Sequence, residues 1–146
     1  MFYWEKQKKI KALYDLYSKP VRTKYGLTQM EYSVLMFLHR NPAYDTASYI
    51  VSTGQFAKSH VSSAVKTLEE RDLVTREYVG NNNKTMHLKL TENAEEIIRE
   101  ASVSSKRYID CLFAGFSEKE LNEMRGFFDR ICENAESELK NMEKDS

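Results

Sequence analysis

Between Asp45 and Glu69 the chain carries no acidic residue, yet Lys58, His60 and Lys66 fall inside that gap, interleaved with Ser59, Ser62, Ser63 and Thr67. Short hydroxyl side chains allow close approach to the polar edges of base pairs, and lysines supply charge for phosphates, whereas carboxylates there would repel a polyanion. The composition therefore points to contact with double-stranded DNA. A second polar and basic group follows at Arg76, Asn82, Asn83, Lys84 and Lys89. Catalytic chemistry has no comparable support. His39, His60 and His87 fall in separate segments without ligand spacing, and no nucleophile, base or metal set converges, so neither an enzyme nor a cofactor or metal site is expected. Cys111 and Cys132 form no Cys-x-x-Cys pair. Both are expected on apolar helix faces as small hydrophobes rather than as redox sensors.

These side chains need a frame. Val61, Ala64, Val65 and Leu68 repeat at intervals of three and four, which predicts a helix over about 58–71 with one apolar stripe and the hydroxyl-lined face opposite. Upstream, Asp45-Thr46 reads as a cap for a short helix carrying Ala47, Tyr49, Ile50 and Val51 and stopped by Gly54. Thr28-x-x-Glu31 is a capping box opening a helix with Val34, Leu35, Phe37 and Leu38, closed by Asn41-Pro42. Downstream, 73–79 and 85–90 read as strands joined by Gly80-Asn81-Asn82-Asn83, whose residue types suit a hairpin loop. The order helix, short helix, helix, hairpin is a helix-turn-helix with a wing.

Amphipathic helices flank this unit. Ile10, Leu13, Tyr14, Leu16 and Tyr17 lie at helical spacing with lysines 6, 8, 9 and 11 opposite, and Pro20 is expected to end that helix. Thr91 is expected to cap a helix running toward Gly115, with Glu92, Glu95 and Glu96 in its first turn. Ser117-x-x-Glu120 opens another, striped by Leu121, Met124, Phe128, Ile131, Ala135, Leu139 and Met142. Helices spanning on the order of 35 Å exceed what the central unit can cover. A second copy of the chain would cover the rest.

The 146 residues suit one folding unit, and 41% hydrophobic with 30% charged residues fits neither a disordered nor a membrane protein. No apolar run approaches the roughly 18 residues of a membrane span, and the opening Met1-Phe2-Tyr3-Trp4-Glu5-Lys6 lacks the features of a signal peptide, so a cytoplasmic location is expected. The net charge is zero but unevenly spread. Residues 1–45 hold eight bases and four acids (+4), residues 46–90 six and four (+2), and residues 91–146 eight and fourteen (−6). The reading face thus lies in a basic stretch.

The run Leu68-Glu69-Glu70-Arg71-Asp72-Leu73-Val74-Thr75-Arg76, followed by Leu88-Lys89-Leu90-Thr91, resembles the MarR family of regulators, and the resemblance extends over about residues 28–98. That family places a Ser, a Thr-Val-Thr and an Arg along its recognition helix. Here Ser59, His60-Val61-Ser62 and Ser63 hold those places, so the contact the Arg would make falls to another residue, with His60 or Lys66 at hand. The family's wing signature Asp-x-Arg appears as Asn82-Asn83-Lys84, and a lysine lacks the planar fork that orients an arginine in the minor groove.

The fold expected is mainly α with a small β-hairpin wing (α+β): a winged helix-turn-helix plus long N- and C-terminal dimerisation helices. Residues 1–27 and 91–146 would dimerise and residues 28–90 bind DNA. Lys58, Ser59, His60, Ser62, Ser63, Lys66, Arg76, Asn82, Asn83 and Lys84 are the candidate DNA contacts. The resemblance implies a homodimeric repressor on a pseudo-palindromic operator, with a pocket for a small aromatic or phenolic effector. The alternatives are an interaction protein that kept the winged fold but lost specific DNA binding, and a thiol-based redox regulator.

Overall fold

A computed structural model describes residues 2–54, 56–78, 80–81 and 85–146, apart from the Phe2 side chain. The elements run α1 (Phe2–Tyr25), α2 (Gln29–Arg40), α3 (Ala47–Gly54), α4 (Lys58–Glu70), β1 (Val74–Tyr78), β2 (Met86–Leu90), a single 3-10 turn (Glu92–Ala94), α5 (Glu95–Leu112) and α6 (Glu118–Asp145). The chain divides into two compact units, residues 1–110 and 111–146.

In the first unit α1 does not stop at Pro20 but runs through it to Tyr25. Proline removes one backbone hydrogen bond. The helix continues because the residues around it are held by tertiary packing and side-chain bonds: Ser18 and Val21 are buried, and Arg22 pairs with Asp15 at 2.7 Å. It ends instead at Gly26, whose φ of +62° suits the left-handed position of a Schellman cap. There the Leu27 N–H donates to the Arg22 carbonyl at 2.8 Å and the Gly26 N–H to that of Thr23 at 3.4 Å.

The capping box of α2 forms as its residue types require, with the Glu31 N–H donating to Thr28 Oγ1 at 3.2 Å and the Thr28 N–H to Glu31 Oε2 at 3.0 Å. Its buried face, including Tyr32, Val34, Leu35 and Leu38, packs with Ile50 of α3, the α4 stripe, Val74, Leu88 and Ile97 in one core. Before α3 the Thr46 hydroxyl accepts the Tyr49 N–H at 3.3 Å, so Thr46 does the capping. Asp45 does other work: its carbonyl accepts the Leu88 N–H at 2.7 Å, and its carboxylate meets His87 Nδ1 at 2.5 Å.

β1 and β2 pair antiparallel with Val74 opposite Leu90 and Tyr78 opposite Met86. The Thr91 hydroxyl is not a helix cap. It donates to the Asp72 carbonyl at 2.6 Å, and α5 begins after the intervening 3-10 turn and ends at Leu112, short of Gly115. A tertiary acceptor has taken the group that a local cap would use.

In the second unit α6 opens on the capping box of Ser117 and Glu120. None of its side chains is buried: Met124, Phe127, Phe128, Ile131, Leu139 and Met142 all face solvent. Cys111 and Cys132 are likewise exposed, so the expectation that apolar packing shields them fails within one chain. No helix of the described residues is long and apolar enough to cross a membrane.

Candidate nucleic-acid interface

The apolar spacing of α4 is realised as read. Val61, Ala64, Val65 and Leu68 are buried, with Val61 and Leu68 inaccessible to solvent. Lys58, Ser59, His60, Ser62, Ser63 and Lys66 are consequently all exposed on the other side. Among the described residues no acid pairs with Lys58 or Lys66, and no hydrogen bond engages the side chains of Ser59, His60, Ser62 or Ser63. Hydroxyl, imidazole and ammonium groups are therefore presented together with their bonding capacity unspent.

The start of α4 adds to this. Its N-cap, Ala57, has no side chain to satisfy the first backbone N–H groups, and its first turn holds no acid. Those N–H groups and the positive end of the helix dipole favour an approaching phosphate. Asp45, the acid that opens the acid-free stretch, is buried against β2 and turned to His87, with Lys89 Nζ at 3.8 Å from its other oxygen. Glu69, which closes it, pairs with Arg76 at 2.8 Å.

That last pair changes the reading of Arg76. Its guanidinium Nε donates to Glu69 while its Nη1 lies 3.5 Å from Met86 Sδ, so it is held between the hairpin and the last turn of α4. Lys89 is similarly drawn to Asp45. Asn82, Asn83 and Lys84, the wing-tip candidates, lie outside the described residues. The structure thus gathers the α4 candidates on one face and ties Arg76 to the same helix from below.

Sequence reasoning missed what holds this face in place. His87 and Asp45 are 42 positions apart, and no local pattern announces their contact. Directly after α4 the Arg71 guanidinium donates to the carbonyls of Tyr25 at 2.6 Å and Gly26 at 3.2 Å. Tyr25 and Lys24 reach on to Glu100 of α5, at 2.9 and 2.6 Å. Hydrogen bonds from Lys24 and Tyr25 hold the Glu100 carboxyl below the usual carboxylate range.

Comparison with known proteins follows the same geometry. Residues 25–81 match the family model described as MarR family. The chain superposes on the transcriptional regulator PA3341 with a TM-score of 0.81 at 20% identity, covering 94% of this chain and 99% of that one. For a MarR-family transcriptional regulator from Silicibacter pomeroyi the TM-score is 0.74 at 18% identity, with 88% and 86% covered. For the MepR–DNA complex of S. aureus it is 0.73 at 15% identity, with 92% and 96% covered. At these identities the shared property is the winged-helix fold.

Proposed function

We propose, from the match of residues 25–81 to the MarR family model, that the chain is a homodimeric, sequence-specific DNA-binding transcriptional regulator of that family, a repressor whose grip on a pseudo-palindromic operator is modulated by a small effector. The observation that carries this reading is the exposed face of α4 over residues 58–67, which holds no acid, with Lys58, Ser59, His60, Ser62, Ser63 and Lys66 unpaired among the described residues beside a buried stripe; Glu69 and Glu70 lie past it in the last turn. α4 enters the major groove, Ser59, His60, Ser62 and Ser63 meet base edges, and Lys58 and Lys66 meet phosphates. The hairpin, with Arg76 midway along its first strand, lies along the backbone or minor groove, where Asn82, Asn83 and Lys84, outside the described residues, are the further contacts proposed. That one solved relative of this fold is a DNA complex supports the same placement.

Pairing is supported by α6. A helix of 28 residues whose Met124, Phe127, Phe128, Ile131 and Leu139 are all exposed needs a partner surface, and a second copy supplies it through residues 1–27 and 91–146. For the effector, α1 and α5 line an open groove of about 580 Å³ whose walls include Leu16, Tyr17 and Val103, with Arg99, Glu100 and Arg107 beside them. Apolar walls with cations at hand suit a small aromatic or phenolic compound.

A gel shift with the DNA upstream of the chain's own coding region, with and without small aromatic compounds, tests the reading. Retarded DNA that competitor of unrelated sequence does not displace is expected. Equal displacement by any DNA would instead favour an interaction protein that has kept only the fold.

A further inference from the structure

Helices α1 and α4 end in the same motif, and a residue at the end of α4 caps the end of α1. At the close of α4 the Leu73 N–H donates to the Leu68 carbonyl at 2.9 Å and the Asp72 N–H to that of Glu69 at 3.0 Å, the bonding pattern already met where α1 ends at Gly26. Asp72 occupies the left-handed position with φ of +55°. It is fixed there from the α5 side, its carbonyl accepting from Thr91 and Asn93 and its Oδ2 accepting from Asn93 at 2.9 Å. From the α1 side comes Arg71, whose fork spans the carbonyls of Tyr25 and Gly26.

We infer that Arg71 is a positioning residue for DNA reading: by capping the carbonyl end of α1 it sets the angle at which α4 presents its polar face. The inference rests on the function proposed above. The last carbonyls of a helix lack intrahelical donors and carry the negative end of its dipole, so a guanidinium is well matched to them in both geometry and charge. Arg71 is exposed and directly follows the recognition helix, where a phosphate contact would be the ordinary role of an arginine. Two of its five N–H donors are instead given to backbone carbonyls of α1's end.

The length of α4 makes its C-terminal anchor consequential. Ser59 lies about 18 Å along the helix axis from Arg71, so a tilt of about 5° at that anchor moves Ser59 by roughly 1.5 Å. Hydrogen bonds to base edges tolerate only about 0.5 Å in donor–acceptor distance. The opposite end of α4 offers no compensating restraint from a cap, because Ala57 has no polar side chain. Phosphate contacts through flexible lysines tolerate such a tilt, so loss of the clamp should erode sequence discrimination and leave general affinity in place.

The test compares wild type, Arg71→Ala and the charge-retaining Arg71→Lys in the full chain, titrated against a selected duplex and an unrelated duplex at several salt concentrations. Arg71→Ala should weaken binding to the selected duplex about tenfold, leave the unrelated duplex within about twofold, and keep the salt slope of wild type. Arg71→Lys, which keeps the charge but not the fork, should shift in the same direction by less. An unchanged ratio between duplexes, or a slope lowered by about one phosphate contact, would overturn the inference. In the absence of DNA, amide hydrogen exchange of both variants should quicken at residues 25–28 and 71–73 alone. Protection there equal to wild type would also overturn it, whereas failure of wild type to discriminate any duplex would sink the proposed function separately.

Discussion

His87 Nδ1 lies 2.5 Å from Asp45 Oδ1, and this contact fastens the second strand of the wing to the residue that precedes the helix-turn-helix. Asp45 is buried, so its carboxylate depends on His87, and on Lys89 at 3.8 Å, for compensation. Removing the imidazole leaves a buried acceptor short of its partner, which typically costs 1–3 kcal/mol. His87→Ala should therefore lower stability by about 2 kcal/mol, read as the denaturant midpoint. A midpoint within error of wild type would show that the contact is idle.

The ends of α4 and α1 are only partly legible in the sequence, and the difference is physical. Stripes and capping boxes are local, so Val61, Val65 and Leu68, Thr28 with Glu31, and Ser117 with Glu120 all behave as their spacing implies. Pro20 misled because its cost is local while what offsets it, the packing of Val21 and the Asp15–Arg22 pair, is not. Thr91 misled for the same reason, since an acceptor at Asp72 outbids its own helix. The polar face of α4 could be read from residue types, but the restraints on it, Asp45 with His87 and Arg71 with Tyr25, join residues too far apart for any periodicity to reveal.

Asp72 gives a backbone prediction. A residue other than glycine at φ of +55° is tolerated best when it is Asn or Asp, and a β-branched side chain there is strained. Asp72→Val should lose about 1–3 kcal/mol, and Asp72→Asn less than about 1 kcal/mol. Equal stability of the two variants by thermal melting would contradict the left-handed cap.

Tyr32 supplies a pH dependence. Burial pushes its phenol up to about 12, whereas an unfolded tyrosine ionises near 10. The folded chain thus holds a proton that the unfolded chain releases, so stability is intact below about pH 10 and falls as pH rises from about 10 to about 12. Tyr32→Phe should reduce the alkaline loss, leaving the part due to Tyr14, Tyr25 and Tyr108, whose phenols burial also pushes up. Parallel losses of denaturation midpoint in wild type and variant between pH about 10 and 12 would contradict it.

Lys66 stands exposed on α4 with no acid paired to it among the described residues, and the proposed function sets it against a phosphate. Lys66→Ala should weaken binding to all duplexes alike and reduce the slope of log affinity against log salt by about 0.9. An unchanged slope would remove Lys66 from the interface.

The central claim is that two copies of the α4 face read DNA together, and selection of binding sites from random duplexes tests it most directly. Two-fold pairing predicts enriched sequences with inverted half-sites about 10–11 base pairs apart, and a changed half-site when His60 or Ser62 is replaced. Enrichment of no motif, or of a single unpaired half-site that survives both replacements, would contradict the account.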